Sequence, residues 1–123
     1  MEKIINIDGR DVKFKTSGAF AKRYKAQFKR DAIKDVFSIQ RIGESLSKGE
    51  KIPENIDTDI IYDIVWAFAK NANPDITEPI EWFDSFDEFP VLDVLVDIMD
   101  LITASFSNTA EIKKTSKKKV IAK

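Results

Sequence analysis

The chain has no cysteine and no histidine. Disulfides, thiol nucleophiles, zinc fingers, imidazole metal ligands and Ser-His-Asp triads are excluded together. It also has no Gly-rich phosphate loop and no Asp-x-Asp-x-Asp-Gly calcium loop. Carboxylates, Lys, Tyr and Ser/Thr are all that remain for catalysis, and the chain reads as a non-enzyme. No apolar run approaches the ~20 residues needed to cross a bilayer. The start, Met-Glu-Lys-Ile-Ile-Asn-Ile-Asp, carries charges where a signal peptide needs an unbroken apolar stretch. The sequence therefore reads as cytoplasmic. Bases are scarce in the middle of the chain: residues 52–110 hold Lys70 alone against thirteen acids.

What is present is sorted. Residues 1–51 carry thirteen Lys/Arg against seven Asp/Glu, and the last thirteen residues carry six Lys against Glu111. The overall net charge of −1 hides a basic part, an acidic part and a basic end. Faces of opposite sign steer a protein toward charged partners, including copies of itself. With 123 residues, 43% of them apolar, the chain has enough for one domain with a core.

The periodicities predict a mainly α domain of about five helices led by a short β-hairpin. Ile5 and Ile7 alternate with Ile4 and Asn6, Asp8-Gly9 is a two-residue turn signal, and Val12 and Phe14 alternate with lysines. This pairs roughly 2–7 with 11–16. Thr16 or Ser17 is placed to cap a helix bearing Phe20, Tyr24 and Phe28. A second helix is predicted over about 31–46, a linker over 48–55, and a strongly apolar-faced helix over 58–72 capped by Asp57 or Thr58. A short helix over 79–87 carries Ile80, Trp82, Phe83 and Phe86. A last helix, roughly 90–105, is apolar but for the stripe Asp93, Asp97 and Asp100. After Phe106 the apolar content falls. The reading is a helical domain over 1–107 and a disordered Lys-rich tail over 108–123.

Four groups invite function. The acids Asp84, Asp87, Glu88, Asp93, Asp97 and Asp100 are a solvated face, a surface for a basic partner or, less in keeping with the missing histidines, a divalent-metal site. Lys22-Arg23-Tyr24-Lys25 with Lys29-Arg30 interleaves bases and aromatics as a nucleic-acid surface does. The strict helical spacing of its aromatics equally fits an amphipathic helix with those rings in the core. Trp82, Phe83, Phe86 and Phe89, beside Leu92, Leu95 and Met99, are core alone or core with an exposed excess that docks a partner. The Lys-rich tail is a nucleic-acid arm, a solubilising tail or a tether.

The order of these features resembles the tail assembly chaperones of long-tailed (siphovirus-type) phages and prophages of Gram-positive bacteria. FAKRYKAQFKRD over 20–31 is similar to that family's Arg-Tyr-Arg-like pair followed by a Phe-Gly-Arg-Asp-like turn. Lys29 stands where the family usually has Gly, so a helix running on through 29 is the alternative to a tight turn. WAFAKNANPDI over 66–76 resembles its Ala-Lys-x-Ala-(Asp/Asn)-Pro helix end, and IEWFDSFDEF over 80–89 its Trp-Leu-(Asp/Glu)-x-Phe block. The likeness spans about residues 2–106. It implies a non-enzymatic protein without cofactors that binds the tape-measure protein, keeps it soluble and promotes polymerisation of the tail-tube protein around it. It further implies self-association, residence in the host cytoplasm and absence from the mature virion. The partner-binding residues expected are Trp82, Phe83, Phe86, Phe89, Leu92, Leu95 and Met99. The competing expectation is a small nucleic-acid-binding regulator using the basic 20–30 helix and the tail.

Overall fold

The computed structural model describes residues 1–52 and 55–105. Strands β1 (Glu2–Ile7) and β2 (Arg10–Lys15) form an antiparallel pair with Ile5 opposite Val12 and Lys3 opposite Phe14. Asp8 and Gly9 make the turn with φ of 54° and 79°, the positive values that match a tight turn to the right-handed twist of a hairpin. Two turn residues suffice, so Arg10 already pairs with Ile7, one residue earlier than the predicted strand. Ile5, Ile7, Val12 and Phe14 face inward, and Ile4 faces out.

Five helices follow: α1 (Phe20–Phe28), α2 (Ala32–Ser47), α3 (Thr58–Ala72), α4 (Pro79–Asp84) and α5 (Val91–Asp97). Residues 99–105 are helical again. The mainly helical architecture with an N-terminal hairpin is the one that the periodicity predicts. Asp31 and Asp57 cap α2 and α3 by accepting from the N–H of Ile33 and Asp59, each at 2.9 Å. The cap expected for α1 is absent. Thr16 Oγ1 instead bonds the other hairpin end, accepting from the Met1 amino group and donating to Met1 O, and Ala19 precedes the helix without a side-chain cap. At the far end of α1, Lys29 takes the left-handed conformation at φ 61°, ψ 24°. The helix therefore stops at a tight turn there rather than running through.

The short helix is shorter than its pattern: α4 ends at Asp84, where Ser85 Oγ donates to Trp82 O at 2.6 Å. The last predicted helix is broken at Ile98. Lys3 Nζ, on β1, donates to Asp97 O at 2.6 Å, the acceptor that an unbroken helix gives to the N–H of residue 101. Leu101 N–H donates instead to Ile98 O and to Asp100 Oδ1. A lysine ninety-four residues away thus takes the carbonyl released at the break.

The centre of the molecule is α3. It packs against β2, α1, α2, α4 and α5, and Ile61, Ile64, Val65, Trp66, Ala67, Phe68 and Ala69 are all buried on it. That unbroken run from 64 to 69 exceeds a one-sided stripe, because neighbours surround the helix's second half. Its acids Asp59 and Asp63 lie in its first half, where Asp57 caps the helix, and Lys70 lies in its last turn. The tail predicted over 108–123 lies outside the described residues. No helix among those residues is long and apolar enough to cross a membrane.

Candidate functional site

Tyr24, Arg30, Asp35 and Asp63 form one polar cluster where α1, α2 and α3 meet. The Tyr24 hydroxyl donates to Asp35 Oδ2 at 2.6 Å, inside the core. Arg30 donates to the same oxygen at 2.9 Å, to the Tyr24 hydroxyl at 3.0 Å and to Asp63 Oδ2 at 2.6 Å. The left-handed turn at Lys29 reverses the chain so that Arg30 returns over α1 to reach these partners. Burial, reinforced by the neighbouring Asp35 carboxylate, pushes the Tyr24 phenol far above its usual value. Burial also raises Asp63, against the downward pull of Arg30. Asp35 is a carboxylate on the buried face of α2, among Ala32, Val36 and Ile39. Its place in that helical period is the signal that could have marked it as a core acid.

The aromatic block is largely core. Trp82 and Phe86 are 7% and 6% exposed, and Leu95 is fully buried. Phe83, Phe89, Leu92 and Met99 are half-buried against them. Phe89 lies 4.9–5.6 Å from the ring centroids of Trp82, Phe83 and Phe86, mostly edge-to-face. The hairpin covers this cluster: the Arg10 guanidinium lies 3.6 Å over the Phe86 ring, Arg10 donates to Ser85 Oγ, and Asp8 accepts from the Asp87 N–H. Met99 packs on Gly43 of α2. Of the seven expected partner-binding residues, Trp82, Phe86 and Leu95 are therefore buried in this structure and the other four are half-buried. The apolar excess inferred for 82–102 is largely taken up within the core, where α4 packs on α3 and α5 packs on α2 and α3.

Exposed apolar area lies elsewhere. Ile80, which the helical pattern groups with the core aromatics, is 87% exposed. It sits in the second position of α4, turned away from Trp82. Beside it is an open groove of about 790 Å³ lined by Gln27, Arg30, Asp59, Asp63, Glu78 and Ile80, with Pro79, Glu81 and Asp84 completing the wall. Five of these residues are acids and one is basic. Arg30 is engaged by Asp35 and Asp63, and Gln27 Nε2 donates to Glu78 at 2.8 Å. Among the described residues, the ion pairs do not reach Asp59, Glu81 or Asp84. This leaves a negative channel with an isoleucine at its rim, suited to a segment carrying both Lys/Arg and apolar side chains.

The predicted acid cluster is dispersed. Asp84 faces the groove, Asp87 joins the hairpin turn through its N–H, and Asp100 pairs with Lys3 at 2.9 Å. That contact holds the Asp100 carboxyl below its ordinary value. No group of three acids among the described residues is placed to hold a metal ion. On the basic helix, Phe20 and Tyr24 are buried, and Arg23 and Arg30 turn inward to Asn71 and to the cluster above. Lys22 and Lys25 remain exposed without an exposed ring between them for a base to stack on. No family model, curated protein or solved structure matches the chain.

Proposed function

We propose that this protein is a tail assembly chaperone of a long-tailed phage or prophage, which holds the helical tape-measure protein soluble while tail-tube protein polymerises around it. One observation carries the reading: an open, acid-lined groove with an exposed isoleucine, of the kind that takes one face of an amphipathic helix bearing Lys or Arg. A second feature is in keeping with it. The chain turns left-handed at Lys29, the position where the resembled family usually carries Gly, the residue with least cost in that conformation.

The site moves from the aromatic block to its outer edge. The client would lie along α4 and the first half of α3, over Ile80 and between Asp59, Glu81 and Asp84. Truncating a large apolar anchor at such a contact costs on the order of 2 kcal/mol, about thirtyfold in affinity. The test is co-purification with the tape-measure protein. Ile80→Ser, and separately Glu81→Lys with Asp84→Lys, should each reduce capture at unchanged circular dichroism. Lys22→Ala with Lys25→Ala should not. Capture that survives both groove variants and fails with the lysine pair would put the site on the basic helix. Salt-sensitive binding of duplex DNA by the lysine face would favour the nucleic-acid reading.

A further inference from the structure

The groove has a second candidate occupant in the chain itself. Beyond Ser105 the sequence continues for eighteen residues, with Lys117-Lys118-Lys119 followed directly by Val120-Ile121-Ala122. Residues 111–123 carry six Lys against Glu111. The groove offers the complement of both halves of that motif. Asp59, Glu81 and Asp84 stand without an ion-pair partner among the described residues, and Ile80 and Pro79 give an apolar rim. Reach is no obstacle. Twelve residues from 105 to 117 span up to about 40 Å when extended, against a radius of gyration of about 13 Å for a domain of this size.

We propose that the segment 111–123 docks in cis into the groove formed by α3 and α4, with Lys117–Lys119 on Asp59, Glu81 and Asp84 and with Val120 and Ile121 on Ile80. Tethering favours this over a second copy: a short connection gives an effective concentration near the millimolar range, far above the working concentration of free chain. Docking through exposed charges is salt-sensitive, since the screening length falls from about 10 Å at 0.1 M to about 3 Å at 1 M. Under the function proposed above, client and segment share one groove. That consequence rests on the functional reading, whereas the docking itself does not and needs no client to test.

The absence of cysteine makes the experiment clean, because Ser116→Cys gives the full chain a single thiol for a nitroxide label. In an isotope-labelled sample at 50 mM salt, the amide signals of Asp59, Ile80, Glu81 and Asp84 should broaden several-fold more than those of Lys22 and Lys34. The difference should vanish at 1 M salt and in Glu81→Lys/Asp84→Lys. Glu81→Gln/Asp84→Asn repeats that control with a milder change. Even broadening over the surface, or none at the groove at low salt, would overturn the proposal. So would equal groove broadening when the nitroxide is carried only by chains lacking the isotope, which would assign the contact to a second copy. Groove broadening in a protein that captures no tape-measure protein would leave the docking standing and remove the functional reading alone.

Discussion

Lys29 is the residue whose backbone conformation fits its side chain least. At φ 61° the Cβ of a non-glycine residue crowds the following carbonyl oxygen, at a cost on the order of 1 kcal/mol. Its ammonium recovers little by donating to Ala26 O from an exposed position. Lys29→Gly is expected to raise the melting temperature by about 3–5 °C, and an unchanged or lower value would show that the turn is not strained. Tyr24 is the opposite case, a side chain whose polar atom is fully used. Tyr24→Phe leaves Asp35 with Arg30 alone and should cost about 1–3 kcal/mol in urea unfolding, the loss expected when a buried acceptor forfeits a donor. The FKRD run, met in sequence as a basic surface, is a packing device at this scale. Arg30 ties three helices together, while Lys22, Lys25, Lys29 and Asp31 face solvent.

Between elements, Gly43 on α2 makes a close approach to Met99. A Cβ built at Gly43 would lie 2.7–2.8 Å from the end of the Met99 side chain. Thioethers adapt readily, and Ala gains up to about 1 kcal/mol over Gly within a helix. Gly43→Ala alone is therefore expected to stay within about 1 kcal/mol of the parent, and Gly43→Ala in a Met99→Ala background to be stabilising. Additive effects in that double-mutant cycle would mean that the two residues do not meet. Element types were legible because the helical periods of 58–72 and 31–46 are long and the Asp8-Gly9 signal is local. The break at Ile98 was not legible, because its stabilising partner is Lys3 at the opposite end of the chain. The groove was hidden for a related reason. It gathers Gln27 and Arg30, the first half of α3 and α4 into one place, and a pattern confined to 79–87 gives no sign that Ile80 turns outward while Trp82 turns in.

For the molecule as a whole, the sorted charges meet partly within one chain. Lys3 with Asp100 and Arg30 with Asp63 join the basic and acidic parts, while Asp59, Glu81 and Asp84 are left for other contacts. The Lys3 contact sets a pH dependence. Asp100 titrates below its ordinary value in the fold, so its contribution is present above that ordinary value, near 3.8, and is lost as pH falls through the lower folded value. The stability difference between the parent and Asp100→Asn should be constant from pH 5 to 7 and shrink below about pH 4. It should stay below about 1 kcal/mol because the pair is partly exposed. A difference that grows on acidification would contradict the assignment. Asp63, raised by burial, should show the reverse slope.

The bond from Lys3 to Asp97 O also fixes when the protein can finish folding. Strand β1 is made long before Asp97, whose carbonyl accepts from the strand's Lys3, and Asp8 waits likewise for the Asp87 N–H. At about 5–20 residues per second, the ribosome needs on the order of 5–20 s to supply the second member of these pairs. During part of that interval the hairpin's apolar face lacks α3, the helix that β2 packs on, so the nascent chain passes through a state with its first strands uncovered. Moving the hairpin to the C-terminal side by circular permutation would place it after its partners, and should shorten the exposure without altering the final structure.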